Sequence, residues 1–275
     1  MPDPVEPGKG HARRPITQLL AGVARNDTDL LAEEVPVAVH YDGQPFAVMM
    51  ASPADLPDFA YGFSLTEGRA GPDDIVAVEE RAVLEGILLD ICTRNPASGD
   101  APAERPLPGR SGCGICGTRL LEEVVKHPAS VADGVAIDIA SLEFALAALQ
   151  ELQPLNKATG ATHAAAWATA DGALVVVRED VGRHNALDKL IGAMLRDKID
   201  PQAGFAVVTS RASYEMVTKA AVAGIGLLAA ISAPTALAVD LARDCGLTLV
   251  GFARPGRQVV YSHPQRLQNR EPLSR

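Results

Sequence analysis

The chain contains 275 residues, of which 47% are hydrophobic, and its formal net charge at pH 7 is −9. This length suffices for one large domain or two modest ones, whereas the negative charge argues against broad binding to nucleic acid or to a membrane surface. Only two of the four cysteines are close in sequence, which argues against a disulfide framework. The sequence shows no recognisable secretory signal, so we expect a protein of the reducing cytoplasm, where a CxxC pair is usually reactive or metal-binding.

The first half of the sequence predicts a tail and then a small β-rich N-terminal domain over 29–135. Residues 1–28 are expected to be a disordered tail, because their apolar part is short and soon meets Asp27 and Asp29. Alternating apolar residues around an Asp-Gly turn indicate strands, and apolar residues on one helical face indicate a helix. The strands are predicted at 35–40, 46–49, 75–83 and 87–92, the first helix at 53–66 and a second helix at 118–126.

The second half of the sequence alternates helices and strands more regularly. Helices are predicted at 141–152, 183–196, 213–223 and 234–245, and strands at 163–170, 174–178, 205–209, 225–231 and 247–252. Short apolar strands alternating with helices indicate an α/β layer with at least partly parallel strands. This larger α/β domain is expected over 136–265, with 266–275 as a second tail.

Two cysteines, Cys113 and Cys116, lie in the glycine-rich string SGCGICG at 111–117. The glycines leave little bulk around the sulfurs, and a Pro-, Gly- and Ala-rich arm over 95–112 leads into them, which favours a mobile and accessible loop. Three readings stay open. The pair could be half of a zinc site, a thioredoxin-like redox pair, or a persulfide carrier whose second thiol helps to release the terminal sulfur.

Polar and cationic residues follow three of the predicted strands. Arg183 and His184 begin a helix, and Ser210 and Arg211 end a buried strand. The third strand end is the run Phe252, Ala253, Arg254, Pro255, Gly256 and Arg257. Because ligands favour the carboxyl ends of strands in open α/β sheets, these residues could line one crevice for an anionic ligand, with the aromatic ring stacking on a base or a pterin. His163 stands alone among small residues, a pattern equally compatible with a structural histidine.

Taken together, these motifs resemble the FdhD/NarQ family, the accessory sulfurtransferases of formate dehydrogenase. The resemblance covers roughly residues 31–261, and its most specific part is the string EDVGRHNALDKLIG, which begins at Glu179. The CxxC string is the second match. Shorter matches are Glu34-Val35-Pro36, Gly62-Phe63, Glu67-Gly68, Thr159-Gly160, His163-Ala164-Ala165, Ser210-Arg211, Lys219-Ala220, Ser232-Ala233-Pro234-Thr235 and 246–252.

The resemblance implies a cytoplasmic sulfurtransferase that takes sulfur from a cysteine desulfurase onto Cys113 or Cys116 as a persulfide. The sulfur would then pass to the bis-molybdopterin guanine dinucleotide cofactor, which formate dehydrogenase requires for activity. It also implies a homodimer, a cytidine-deaminase-like fold for the larger domain, and a site for the guanine nucleotide part of the cofactor at 252–257. The formate dehydrogenase catalytic subunit would be a partner, and no permanently bound metal is expected.

The deaminase likeness does not extend to deaminase chemistry. A zinc deaminase needs a His-x-Glu and a later Pro-Cys-x-x-Cys, whereas His163 is followed by Ala164 and Ala165, and the CxxC precedes it. An alternative function remains open, in which the chain is a non-catalytic cofactor-binding chaperone and its CxxC is redox-active or metal-binding.

Overall fold

The computed structural model describes residues 10–95 and 128–269. The N-terminal part begins with a two-stranded antiparallel ribbon, β1 (His11–Leu20) and β2 (Val23–Ala32). A four-stranded sheet in the order β4-β3-β6-β5 follows, covered by one helix, α1. Its elements are β3 (Val35–Tyr41), β4 (Gln44–Ala51), α1 (Leu56–Thr66), β5 (Ile75–Val83) and β6 (Gly86–Thr93).

Buried and partly exposed residues alternate along β3 and β6 of this small sheet, both of which the sequence predicts as strands. Val35, Val37 and Val39 of β3 are buried toward α1, whereas the residues between them are partly exposed. Asp42 and Gly43 both have positive φ angles, 51° and 77°, as the predicted two-residue hairpin turn requires. The predicted strand, Asp-Gly turn and strand are therefore present as the β3–β4 hairpin.

The C-terminal part is a six-stranded mixed sheet in the order β13-β12-β11-β10-β8-β9, with helices on both faces. The strands are β8 (His163–Thr169), β9 (Leu174–Asp180), β10 (Gly204–Val208), β11 (Leu227–Ala230), β12 (Thr248–Arg254) and β13 (Arg257–Ser262). The helices are α2 (Ile139–Glu151), α3 (Pro154–Thr159), α4 (Arg183–Arg196), α5 (Tyr214–Val222) and α6 (Ala236–Asp244).

Two apolar clusters hold this second part together. One lies between the sheet and α2, and the other lies between the sheet and the helices α4, α5 and α6. Every residue of β10 is buried, because helices cover both faces of this central strand. The predicted α/β class is confirmed, and strands β10, β11 and β12 are parallel.

The structure differs from the sequence-based expectation at both ends of the chain. Residues 11–28, expected within a tail, form β1 and part of β2, whose residues pair one to one across the ribbon. Most side chains of this ribbon are exposed, so it lacks the buried alternation by which strands are recognised. At the other end, a short strand β14 (Leu267–Gln268) pairs with β7 (Ile137–Asp138), so the second predicted tail is also structured in part. Cys113, Cys116 and the helix predicted at 118–126 lie outside the described residues.

Helix α1 crosses α4 with unusually little separation between their backbones. A methyl group added at Gly62 of α1 would overlap the carbonyl oxygen of Asp188, and one added at Gly192 of α4 would overlap that of Asp58. The two glycines thus face each other's helix, and the absence of both side chains permits the approach. This contact joins the small sheet domain to the larger α/β domain.

We predict that Gly62→Ala lowers the free energy of unfolding by about 3 kcal/mol or more, measured by urea denaturation. Helix propensity alone predicts the opposite sign, a gain of about 1 kcal/mol. The matched control is Gly226→Ala, a buried glycine where the nearest atom to an added methyl group is 3.7 Å away. We expect this control to change stability by less than about 1 kcal/mol, and equal effects of the two substitutions would contradict the prediction.

Candidate functional site

The predicted strand ends lie along one edge of the six-stranded sheet. Strand β8 pairs antiparallel with both β9 and β10, so β9 runs in the same direction as β10, β11 and β12. The carboxyl ends of these four strands therefore meet at one edge, together with the amino end of β8. Neighbouring loops are joined there: Ala212 bridges to Pro234, and the amide of Phe252 donates to the carbonyl of Ser232 over 3.1 Å. We call this row of strand ends the polar edge.

One end of the polar edge is cationic. Arg183 and His184 occupy the first turn of α4, where the helix dipole also favours an anion. Across the β8–β9 ladder His163 pairs with Asp180, and burial, followed by the positive charge of Arg183, lowers the pKa of His163. The Asp180 carboxylate raises this pKa, whereas His184 and Arg211 lower it further, so all four side chains lie within electrostatic range of one imidazole.

The acidic side chain of Glu215 lies beside this cationic end. Its Oε2 lies 2.8 Å from Nε2 of His184, and both side chains are largely buried. Glu215 stands in the first turn of α5, so this contact ties the beginnings of two helices together. No local sequence pattern identifies Glu215 as a partner of His184, because nothing in the sequence indicates that α4 and α5 are adjacent.

A buried ion pair holds the segment that precedes Arg183. Lys189 Nζ lies 2.6 Å from Oδ2 of Asp180, and both side chains are fully buried. Ser52, at the end of β4, donates its amide to Asp180, accepts the Val181 amide on its hydroxyl and accepts from Lys189 on its carbonyl oxygen. The N-terminal sheet thus fixes the residues immediately before the cationic end of the polar edge.

A second polar cluster joins the same helices one turn further in. Lys219 of α5 donates to both carboxylate oxygens of Asp188 on α4, at 2.8 and 2.9 Å. Thr66 of α1 donates to Asp188 and accepts from Lys219. Each buried charge is thereby paired and hydrogen-bonded, which is the condition for burying it at tolerable cost.

The opposite end of the polar edge is the β12–β13 hairpin. Arg254 and Arg257 flank its Pro-Gly turn, and the Arg257 guanidinium lies 5.4 Å from the ring centroid of Phe252. Ala253 is only 1% exposed and packs into the cluster beneath α2, so its methyl group faces the core and not the polar edge. Ser210, at the end of β10, is buried and donates to the carbonyl of Arg211, which is itself exposed.

The two cysteines within the described residues do not resemble reactive thiols. Burial raises the pKa of both Cys92 and Cys245, and neighbouring acidic residues raise that of Cys92 further. Both are therefore kept as thiols at neutral pH, whereas nucleophilic attack needs a thiolate. Over 10–95 and 128–269, no group of three His, Cys, Asp or Glu side chains is arranged to hold a metal ion. Within the same ranges, no helix has the length and apolarity to cross a membrane.

Comparison with known proteins gives consistent results. A model of the FdhD/NarQ family matches residues 32–268. The sulfur carrier protein FdhD of Xanthomonas campestris pv. campestris strain B100 is 53% identical over 266 residues, covering 96% of this chain and 94% of that protein. The sulfur carrier protein FdhD of Bordetella petrii is 47% identical over 249 residues, covering 90% of each chain. A crystal structure of a candidate formate dehydrogenase accessory protein from Desulfotalea psychrophila has the same fold, with a TM-score of 0.75, 24% identity, and coverage of 94% of this chain and 99% of that one.

We predict that Lys189→Met lowers the free energy of unfolding by about 3–5 kcal/mol, because it leaves the carboxylate of Asp180 buried without its counter-ion. Urea denaturation followed by circular dichroism measures the change. Lys157→Met is the matched control, since Lys157 forms an exposed pair with Glu151. The control is expected to change stability by less than about 1 kcal/mol, and a loss of similar size in both variants would count against the buried pair.

We also predict that Arg183→Gln raises the pKa of His163, because removing a nearby positive charge eases protonation of the imidazole. Proton NMR titration of the histidine ring resonances measures it. Arg254→Gln, at the other end of the polar edge, serves as the control and is expected to leave that pKa unchanged. An unchanged His163 titration in Arg183→Gln would show that the two groups do not face each other in solution.

Proposed function

The chain belongs to the FdhD/NarQ family, and on that premise we propose that it is a sulfur carrier that activates formate dehydrogenase by delivering sulfur to its molybdenum cofactor. In this proposal Cys113 or Cys116 accepts a persulfide sulfur from a cysteine desulfurase. The bis-molybdopterin guanine dinucleotide cofactor is bound as the acceptor, and the formate dehydrogenase catalytic subunit receives it. The protein acts in the cytoplasm as a homodimer.

The observation that supports the cofactor-binding part of the proposal, besides the family itself, is the length and charge of the polar edge. From β12 to β9 there are four inter-strand steps, which at the usual spacing amount to about 19 Å. An aromatic ring in contact with the Arg257 guanidinium stands at one end, and Arg183, His184 and Arg211 stand toward the other. Such an edge suits an elongated, phosphate-bearing ligand that ends in a base, with the guanine on Phe252 and its anionic groups toward the cationic end.

The chemistry of loading follows from thiolate reactivity. A thiolate of the CxxC attacks the terminal sulfur of the desulfurase persulfide, a new S–S bond forms, the donor S–S bond breaks, and the donor cysteine leaves as its thiolate. The glycine-rich surroundings of Cys113 and Cys116 favour access by two large partners in turn. The polar edge contributes proximity, since it holds the acceptor while the terminal sulfur is brought to it.

A second candidate function is a non-catalytic chaperone that binds the cofactor at the same edge and delivers it unmodified. The polar edge favours both functions equally, because it concerns only binding. The two are separated by the double variant Cys113→Ala/Cys116→Ala, which should still support active formate dehydrogenase if the chain is a chaperone.

We predict that incubation with a cysteine desulfurase and cysteine adds about 32 Da per sulfur to the intact protein, and that a reductant reverses the addition. Mass spectrometry of Cys113→Ala and Cys116→Ala is expected to show the addition lost in at least one of them. Cys92→Ala and Cys245→Ala are the matched controls and should be labelled like the wild type, because burial raises the pKa of both thiols. Labelling that persists in the double CxxC variant would contradict the carrier function.

We further predict that the two ends of the polar edge respond separately to a short probe. With GDP as the probe, Phe252→Ala is expected to weaken binding about 10-fold by removing the stacking surface. Arg183→Gln should change GDP affinity less than about twofold, because Arg183 is expected to lie more than one Debye length, about 8 Å, from GDP bound at the hairpin. Formate dehydrogenase activation in a strain lacking the native protein should fall in both variants. Equal loss of GDP affinity in both would contradict the two-ended arrangement.

A further inference from the structure

The β12–β13 hairpin has an irregular backbone. Contacts with other elements are needed to hold it in this conformation. Its ladder shifts register between Gly251 and Arg254, and Phe252 adopts a left-handed conformation with φ of 49°. A bulky residue rarely takes that conformation unless its surroundings impose it. The hairpin is also the part of the polar edge that presents Phe252 and the two arginines.

One side chain from a different element fastens the tip of this hairpin. Glu143, on α2, accepts a hydrogen bond from the Gly256 amide at 2.7 Å and another from the Gln258 side-chain amide at 2.9 Å, both on the same carboxylate oxygen. Gln258 in turn donates to the carbonyl of Arg254 at 3.0 Å. The carboxylate therefore ties together the turn and both strands that lead into it.

The charge state of Glu143 suits this role. The Gly256 amide, and then the Gln258 side chain, hold its pKa below the usual range, so the group is an ionised acceptor at neutral pH. Glu143 is partly exposed and lies outside the cluster of buried charges on α4. Its contacts converge on the hairpin tip.

We propose that Glu143 is a positioning residue for the guanine-nucleotide end of the polar edge, holding the hairpin in the conformation that presents Phe252, Arg254 and Arg257 to the ligand. This inference rests on the proposed function, because it assumes that the hairpin receives a guanine nucleotide. Glu143 acts through the hairpin and does not itself touch the ligand. Because the Glu143 contacts order the hairpin before the nucleotide binds, binding does not have to supply the free energy of ordering it.

The test measures GDP binding to the full chain by isothermal titration calorimetry at pH 7. Glu143→Ala is expected to weaken binding about 10-fold, because the nucleotide must then order the hairpin itself. Glu143→Gln keeps an acceptor oxygen and is expected to stay within about threefold of the wild type. Glu151→Ala, which removes the same charge from the end of the same helix, is the matched control and should bind GDP normally.

Hydrogen exchange provides the readout that a general loss of stability would not reproduce. In the ligand-free protein, Glu143→Ala should accelerate exchange selectively in peptides covering 252–258, including the Gly256 amide, with an unchanged urea midpoint. Wild-type affinity or tighter binding in Glu143→Ala would overturn the inference while leaving the proposed function intact. Failure of the wild-type protein to bind GDP at all would overturn both.

Discussion

The structure depends on the burial of α4, a helix that carries charged residues on a nearly fully buried surface. Ten of its fourteen residues are buried, including Asp188 and Lys189. Neither charge could remain there alone, because an unpaired buried ion costs several kcal/mol. Asp180 and Ser52 satisfy Lys189, and Lys219 and Thr66 satisfy Asp188. The need to pair these buried charges, together with the close contact of α1 and α4 at Gly62 and Gly192, accounts for the placement of β4, α1 and α5 around α4.

The same helix carries structural charges toward its centre and charges of the polar edge at its first turn. Toward its centre, each charge is matched by a partner from another element. At its first turn, Arg183 and His184 face the polar edge, and the loop before them is fixed by the Asp180 carboxylate, which accepts from the Gly182 amide at 2.7 Å. A rigid interior with paired ions thus supports a cationic edge whose geometry is set before any ligand binds. Pre-set donors and charges bind an anion without first reorganising, which is what the proposed cofactor site would require.

Much of the fold could be predicted from the sequence, because hydrophobic residues recur at regular spacing in its main helices and strands. The buried face of α1 follows from apolar spacing, and the approximate strand and helix positions of the larger domain follow from alternation. The roles of Lys189 and Glu143 could not be predicted in this way. Lys189 contacts Ser52 from 137 positions away, and Glu143 contacts Gly256 from 113 positions away, so no local pattern reports either pair. Ala253 belongs to the predicted binding segment at 252–257, and nothing in the sequence indicates that its side chain faces the core.

The polar cluster around Ser52 also affects how the protein unfolds. The small sheet and the larger domain have separate apolar clusters, which by themselves would allow two independent melting units. Detaching the small sheet would remove the hydrogen bonds of Ser52 from Asp180 and Lys189 and strip α1 from the glycine face of α4. We therefore expect the two regions to unfold as one cooperative unit, with local opening confined to segments outside that interface, such as the β1–β2 ribbon.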